Sequence, residues 1–201
     1  MTTLTQRYTD AIDYARRAHA QQLKKGTAIP YFAHLIGVSS LVLDYGGDEN
    51  QAIAGLLHDV VEDCGGSHAD AVRAAFGDRV ADIVLACTDG TLEEKAQAEA
   101  AGTKRANWEA RKRRYLAHLE EASADALLVS GCDKLHNLRA ILSDLHDPAV
   151  GEKVFDRFTG ARDGTLWYYR ELAAVYARRG HPAAGELGRA VGELGSSGGG
   201  R

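Results

Sequence analysis

An all-α, single-domain fold of about eight to ten helices is what this chain predicts, on three observations. Apolar residues recur at steps of three and four along most of its length, as they do on the buried face of a helix. No run of β-branched residues alternates with period two, so no sheet is expected. Proline, which breaks helices, occurs three times in 201 residues. A chain of that size buries one large core, whereas two true domains would each be small.

The first helix is expected over residues 4–21, where Leu4, Tyr8, Ile12, Ala15 and His19 share a face. Lys24 to Ile29 reads as a loop, and Pro30 suits the first turn of the next helix. Tyr45-Gly46-Gly47 breaks that helix, and Asp48 is a candidate N-cap for a third one ending at Cys64-Gly65-Gly66-Ser67. Helices at about 68–76, 78–87, 104–121, 124–146, 149–158, 161–179 and 182–194 follow. Residues 90–103 are small and polar and are expected to form a disordered surface loop, with a mobile flap as the alternative. The Gly- and Ser-rich residues 195–201 are expected to be a disordered tail, leaving 1–194 as the domain. No internal repeat is present.

Charge and composition exclude several classes. A formal net charge of −4 argues against a general nucleic-acid binder, which would carry an excess of lysine and arginine. No apolar run approaches the roughly 18 residues that cross a membrane, and the first ten residues lack the apolar core of a signal peptide. Three cysteines without framework spacing fit a reducing, cytoplasmic setting. The expected partner is a small molecule, and oligomeric state is not encoded legibly. Charge is uneven, however. Lys104, Arg105, Arg111, Lys112, Arg113 and Arg114 face only Glu109, either as a solvated helix face or as a rim that steers an anionic substrate. On helical spacing Asn107, Arg111, Arg114 and His118 share one side, while Trp108, Tyr115 and Leu119 form an adjacent, core-facing stripe.

The run Leu56-Leu57-His58-Asp59-Val60-Val61-Glu62-Asp63 concentrates the chemistry. On one continuous helix, steps of four would set His58 beneath Glu62 and Asp59 beneath Asp63. Four ionisable groups beside an apolar face are costly unless paired or bound to a metal. Further on, Asp133 precedes a leucine stripe at 135, 138, 142 and 145, and upstream His34 lies in an apolar stretch. Alone, His34 would be a core histidine and Asp133 a helix-face carboxylate. Together with His58 and Asp59 they complete a His…His-Asp…Asp order. Two imidazoles and two carboxylates suit manganese, iron(II) or magnesium better than a cysteine-rich structural zinc site. Cys64 and Cys132 are read as small buried residues. Tyr168 and Tyr169 are mainly core aromatics, with purine stacking or donation to a phosphate as the alternative for Tyr168.

Pro-Tyr-x-x-His at 30–34, His-Asp-x-x-Glu-Asp at 58–63, Thr88-Asp89 and Asp-Lys-Leu-His-Asn-Leu-Arg at 133–139 resemble the motifs of HD-superfamily phosphohydrolases. The likeness is to the hydrolase domain of RelA/SpoT-type alarmone enzymes in its free-standing small form, as in the metazoan SpoT homologue, and spans residues 5 to 178. It implies an HD-domain helical fold and one divalent ion, usually manganese, on His34, His58, Asp59 and Asp133. It also implies that Glu62 and Asp63 handle the attacking water, that Lys24 and Lys25 border the nucleotide pocket, and that Asn137 meets the nucleotide near its ribose. Leu35, Cys64 and Cys132 stand where the family usually has proline, threonine and alanine; no ligand is lost. The expected reaction is hydrolysis of the 3′-pyrophosphate of guanosine tetra- or pentaphosphate. Adenosine alarmones, the 2′-phosphate of NADPH, nucleoside monophosphates and a non-catalytic sensor are the alternatives.

Overall fold

Thr5 accepts a hydrogen bond from the Arg7 amide and so starts α1, Gln6–Ala18, which leaves Leu4 outside the helix and exposed. Asp48 caps α3, Glu49–Leu57, in a reciprocal box with Gln51. The computed structural model describes residues 2–197. Among them the remaining helices are α2 (Phe32–Asp44), α4 (Val60–Cys64), α5 (His68–Phe76), α6 (Asp78–Cys87), α7 (Leu92–Ala100), α8 (Lys104–Glu121), α9 (Ala124–His146), α10 (Ala161–Arg178) and α11 (Ala184–Ser196). The chain is all-α, as its periodicity requires. The only strand-like feature among the described residues is an isolated antiparallel bridge between Leu23 and Pro30.

The 23 residues of α9 form the axis of the molecule. It packs against α2, α3, α6, α10 and α11, and the fully buried Leu135 and Leu138 lie in the resulting core. Its Ser130 hydroxyl meets Tyr115 of α8 at 2.7 Å and Tyr176 of α10 at 2.6 Å, tying three helices at one buried point. Close approach of α2 to α9 depends on Gly37. A Cβ there would fall 2.1 Å from the His136 Nε2 atom. No helix of the described residues is long and apolar enough to cross a membrane.

Four expectations need correction. Residues 90–103 are not a loop: Thr91 accepts from the Glu94 amide and starts α7, which packs on α8 and α4. The third helix is not continuous. α3 ends at Leu57, and α4 starts at Val60 after a two-residue break at His58 and Asp59. The segment read as a helix over 149–158 is a 3₁₀ helix, Gly151–Arg157. Gly195 and Ser196 belong to α11, whose buried Leu187, Val191 and Leu194 hold its apolar face against the body. The rest of the expected tail, residues 198–201, lies outside the described residues.

Gly37→Ala should lower unfolding stability by about 1–3 kcal/mol, since the added methyl must push His136 out of its place. Urea unfolding of the variant against the parent checks this.

Candidate active site

Breaking the helix at His58 and Asp59 is what makes the site. Asp59 has φ −100° and ψ −3° and acts as the N-cap of α4, so its carboxylate is turned back toward His58. The His58 Nδ1 lies 2.9 Å from the Gly55 carbonyl, to which it donates, so Nε2 is the ring atom turned toward the carboxylates. His34, on α2, is aligned from behind by His136 of α9, Nδ1 to Nδ1 at 2.9 Å. Burial and the neighbouring His34 push the His136 imidazole down to about 4, which keeps it neutral behind His34. Both Nε2 atoms therefore point to one place.

Two carboxylates meet them there. Asp59 Oδ2 lies 2.9 Å from His58 Nε2 and 3.7 Å from His34 Nε2. Asp133 Oδ1, from α9, lies 3.3 Å from His34 Nε2 and 3.5 Å from His58 Nε2. Adjacent donors around one ion at about 2.1 Å stand about 3 Å apart, so the residues present fit a small divalent cation. His34, His58 and Asp59 have donor atoms all within 4.8 Å of one another, and Asp133 joins through the two imidazoles. Burial opposes ionisation here, yet the His58 charge holds Asp59 far below the ordinary carboxylate range, and Lys134 with His58 does so for Asp133. Outer contacts fix each carboxylate: Tyr31 donates to Asp59, and Asn137 donates to Asp133 Oδ1 at 2.6 Å. Cys64 contacts His19 and the Ala18 carbonyl, and buried Cys132 joins no donor set; both are the small packing residues expected.

Glu62 and Asp63 lie on α4 just past the break. Glu62 accepts from Lys95 Nζ at 2.6 Å and from the Asp89 amide at 3.1 Å. Asp63 accepts from Gln22 at 2.8 Å and has Lys95 Nζ at 3.6 Å. Burial raises the proton affinity of both above the ordinary value; the charges of Asp89 and Asp59 add to this at Glu62, and that of Asp59 at Asp63. Carboxyls tuned upward in a recess suit proton transfer near neutral pH. The backbone stays right-handed through the break, and the Asp63 amide still donates to the Asp59 carbonyl at 2.8 Å, so the four-residue step from Asp59 to Asp63 persists.

A cavity of about 280 Å³ opens on His34 and is lined by Lys24, Lys25, Lys112, Lys134, Asn137 and Arg157, with Trp108, Tyr168 and Tyr169 among its aromatic walls. Arg157 is paired with Asp144. Lys112 and Lys134 are likewise paired, with Asp89 and Asp133, which leaves Lys24 and Lys25 as the lining cations without an ion pair among the described residues. Lys24, Lys25, Asn137 and Tyr168 are thus brought to one cavity, as the motifs led one to expect. Arg111 is not. It is buried against Asp89 and Asn107, outside the lining of this cavity, so it braces the wall instead of forming a steering rim. Tyr168 and Tyr169 are both buried and both line the cavity.

Several functional candidates escaped the sequence. Tyr31, Lys134 and His136 sit inside the motifs at 30–34 and 133–139 and could have been singled out by position. Gln22 and Lys95 carried no signal, because their roles depend on a loop and a helix folding over α4.

Comparison with known proteins agrees with this geometry. Residues 11–166 match the family described as HD domain. A probable guanosine-3′,5′-bis(diphosphate) 3′-pyrophosphohydrolase of Mycoplasma pneumoniae is 30% identical over 133 residues, which are 66% of this chain and 18% of that protein. The corresponding enzyme MESH1 of Drosophila melanogaster is 34% identical over 136 residues, 66% of this chain and 68% of that protein. The chain thus spans under a fifth of the first of these relatives and about two thirds of the second. A solved structure of a metazoan ortholog of SpoT that hydrolyses ppGpp superposes with a TM-score of 0.71 at 26% identity, covering 99% of each chain.

Removing an outer contact tests the donor set. Tyr31→Phe should weaken binding of a divalent ion by about 10- to 100-fold while leaving the helical signal intact. Calorimetric titration with manganese, beside circular dichroism, measures both.

Proposed function

The chain belongs to the HD domain family, and from that premise we propose that it hydrolyses the 3′-pyrophosphate of guanosine tetra- and pentaphosphate, releasing GDP or GTP and pyrophosphate. One observation carries the reading: His34 of a two-imidazole, two-carboxylate donor set opens on a cavity lined by four lysines. The curated names of the relatives agree with it. His34, His58, Asp59 and Asp133 would hold one divalent ion, manganese in this reading, which when bound lowers the pKa of water and polarises a phosphoryl oxygen.

The protein's own groups supply the rest. A water attacks the phosphorus attached to the ribose 3′ oxygen, and the bond from that phosphorus to the 3′ oxygen breaks. Glu62 or Asp63 accepts the proton of the water, and that proton is passed on to the 3′ oxygen, which leaves as a hydroxyl. Lys95 holds the acid pair in place from α7. Lys24 and Lys25 lie in the loop that opens the cavity, where they attract the charged nucleotide, and Asn137 stands between that nucleotide and Asp133. Three free cysteines fit action in the cytoplasm.

Incubation of the purified protein with manganese and labelled guanosine tetraphosphate should yield GDP and pyrophosphate. Intact tetraphosphate alongside turnover of an adenosine alarmone, NADPH or a monophosphate would reassign the substrate. Glu62→Gln and Asp63→Asn should each cut kcat at least about 100-fold while nucleotide binding persists; binding without turnover in the parent would mark a sensor. Lys95→Met removes the one cation that lowers the proton affinity of Glu62, which burial, Asp89 and Asp59 already raise. Glu62 then keeps its proton to higher pH. The acid limb of the kcat/KM profile should move up, with Lys95→Arg restoring it.

A further inference from the structure

His19 closes α1, and the Gln22 main-chain amide donates to the His19 carbonyl at 3.0 Å, so a tight turn brings the two side chains together. The His19 residue is only 2% exposed, and its ring meets that of Tyr31 at 5.4 Å between centres. Its Nδ1 stands 2.6 Å from Gln22 Oε1, and Gln22 Nε2 donates to Asp63 Oδ2 at 2.8 Å. The second bond fixes the first. An ionised carboxylate only accepts, so the amide nitrogen must face Asp63 and the amide oxygen must face His19. His19 Nδ1 therefore carries the proton. The Gln22 carbonyl, for its part, accepts from the amide of Tyr31, whose hydroxyl donates to Asp59. The oxygens of the acid pair are unequally occupied. Glu62 Oε1 accepts from Lys95 and Oε2 from the Asp89 amide. Asp63 Oδ2 accepts from Gln22, whereas Oδ1 has Lys95 Nζ at 3.6 Å, beyond hydrogen-bond reach, and accepts no hydrogen bond among the described residues.

Resting on the hydrolase reading above, we propose that His19 is a positioning residue: through Gln22 it holds Asp63 so that Oδ1 is the oxygen of the acid pair that takes the proton of the attacking water. That proton then passes to the leaving 3′ oxygen. Ordering a flexible side chain such as Gln22 is entropically costly, and the short contact to His19 offsets that cost before substrate arrives. Without the Nδ1–H donor, the Gln22 amide loses the contact that keeps its nitrogen toward Asp63, and the carboxylate is free to turn. Cys64, next to Asp63 in the chain, donates to the Ala18 carbonyl at 3.4 Å and lies 3.7 Å from His19 Nδ1, so the turn after α1 is tied to α4 through two successive residues.

The test uses the full chain with manganese. His19→Leu should lower kcat for guanosine tetraphosphate about tenfold, with KM and manganese affinity within about twofold of the parent. His19→Asn, whose amide nitrogen reaches the place of Nδ1, should recover most of that loss; if His19→Leu fails to fold, Gln22→Leu decides by the same split. In an Asp63→Asn background, Gln22→Leu should cost less than about twofold more, because its effect runs through Asp63. Nitrogen-15 NMR, with magnesium in place of manganese, should show neutral His19 as the Nδ1–H tautomer, reverting to Nε2–H in Gln22→Leu. Equal losses in His19→Asn and His19→Leu, a full further loss on top of Asp63→Asn, or an Nε2–H tautomer in the parent would each overturn the positioning role. A parent that hydrolyses no nucleotide would sink the hydrolase reading, and the tautomer would still decide whether His19 holds Gln22. Turnover beside an Nε2–H tautomer would keep the hydrolase reading and end the relay.

Discussion

Two buried imidazoles facing two carboxylates across less than 4 Å are the constraint around which the rest of the molecule is arranged. Charges so deep in a protein are costly unless every one is paired or bonded. The fold meets that demand from all sides. Gly55 and His136 take the rear nitrogens of the imidazoles, and Tyr31, Asn137 and Lys134 hold the carboxylates. These supports come from α3, α9 and the segment before α2, so the helices must stand at fixed separations. The glycine at 37 and the buried triad of Ser130, Tyr115 and Tyr176 serve those separations.

The break between α3 and α4 links that centre to the proton-handling pair. Interrupted at His58, the chain turns Asp59 toward both imidazoles and starts α4 afresh, so Glu62 and Asp63 enter a separate recess under Lys95 and Gln22. One side of the break gathers donors for a cation, and the other gathers carboxyls whose proton affinity burial raises. The metal-facing pair His58 and Asp59 and the carboxyl pair Glu62 and Asp63 thus lie one after the other along the same short stretch of chain.

Positive charge in the cavity is organised with equal economy. Arg111 and Lys112 are successive residues of α8, and both end on Asp89. Arg111 is closed off in the wall, where it anchors Asp89 and with it the amide that holds Glu62. Lys112 faces the cavity. The basic stretch of α8 is therefore neither wholly a solvated face nor wholly a rim: Arg113 and Arg114 are exposed and paired to Glu109 and Glu94, while their two predecessors build the interior.

Helix periodicity, the capping pattern at Asp48 and the scarcity of proline made the all-α fold legible, because a helix's buried stripe is written at steps its own geometry sets. The ligand order was legible too, since His34, His58, Asp59 and Asp133 occur in short, recognisable contexts. What stayed hidden were relations between distant segments. The helix at 92–100 is mostly polar and alanine-rich, so its stability comes from docking on α8 and α4, which no local pattern records. The break at His58 lies in a run that reads as continuous helix, and no local pattern marks it. The roles of Lys95 and Gln22 and the burial of Arg111 are unmarked for the same reason. Local sequence fixes which residues are helical and which carry reactive atoms, while only packing in three dimensions decides which charges meet and which are left to bind something else.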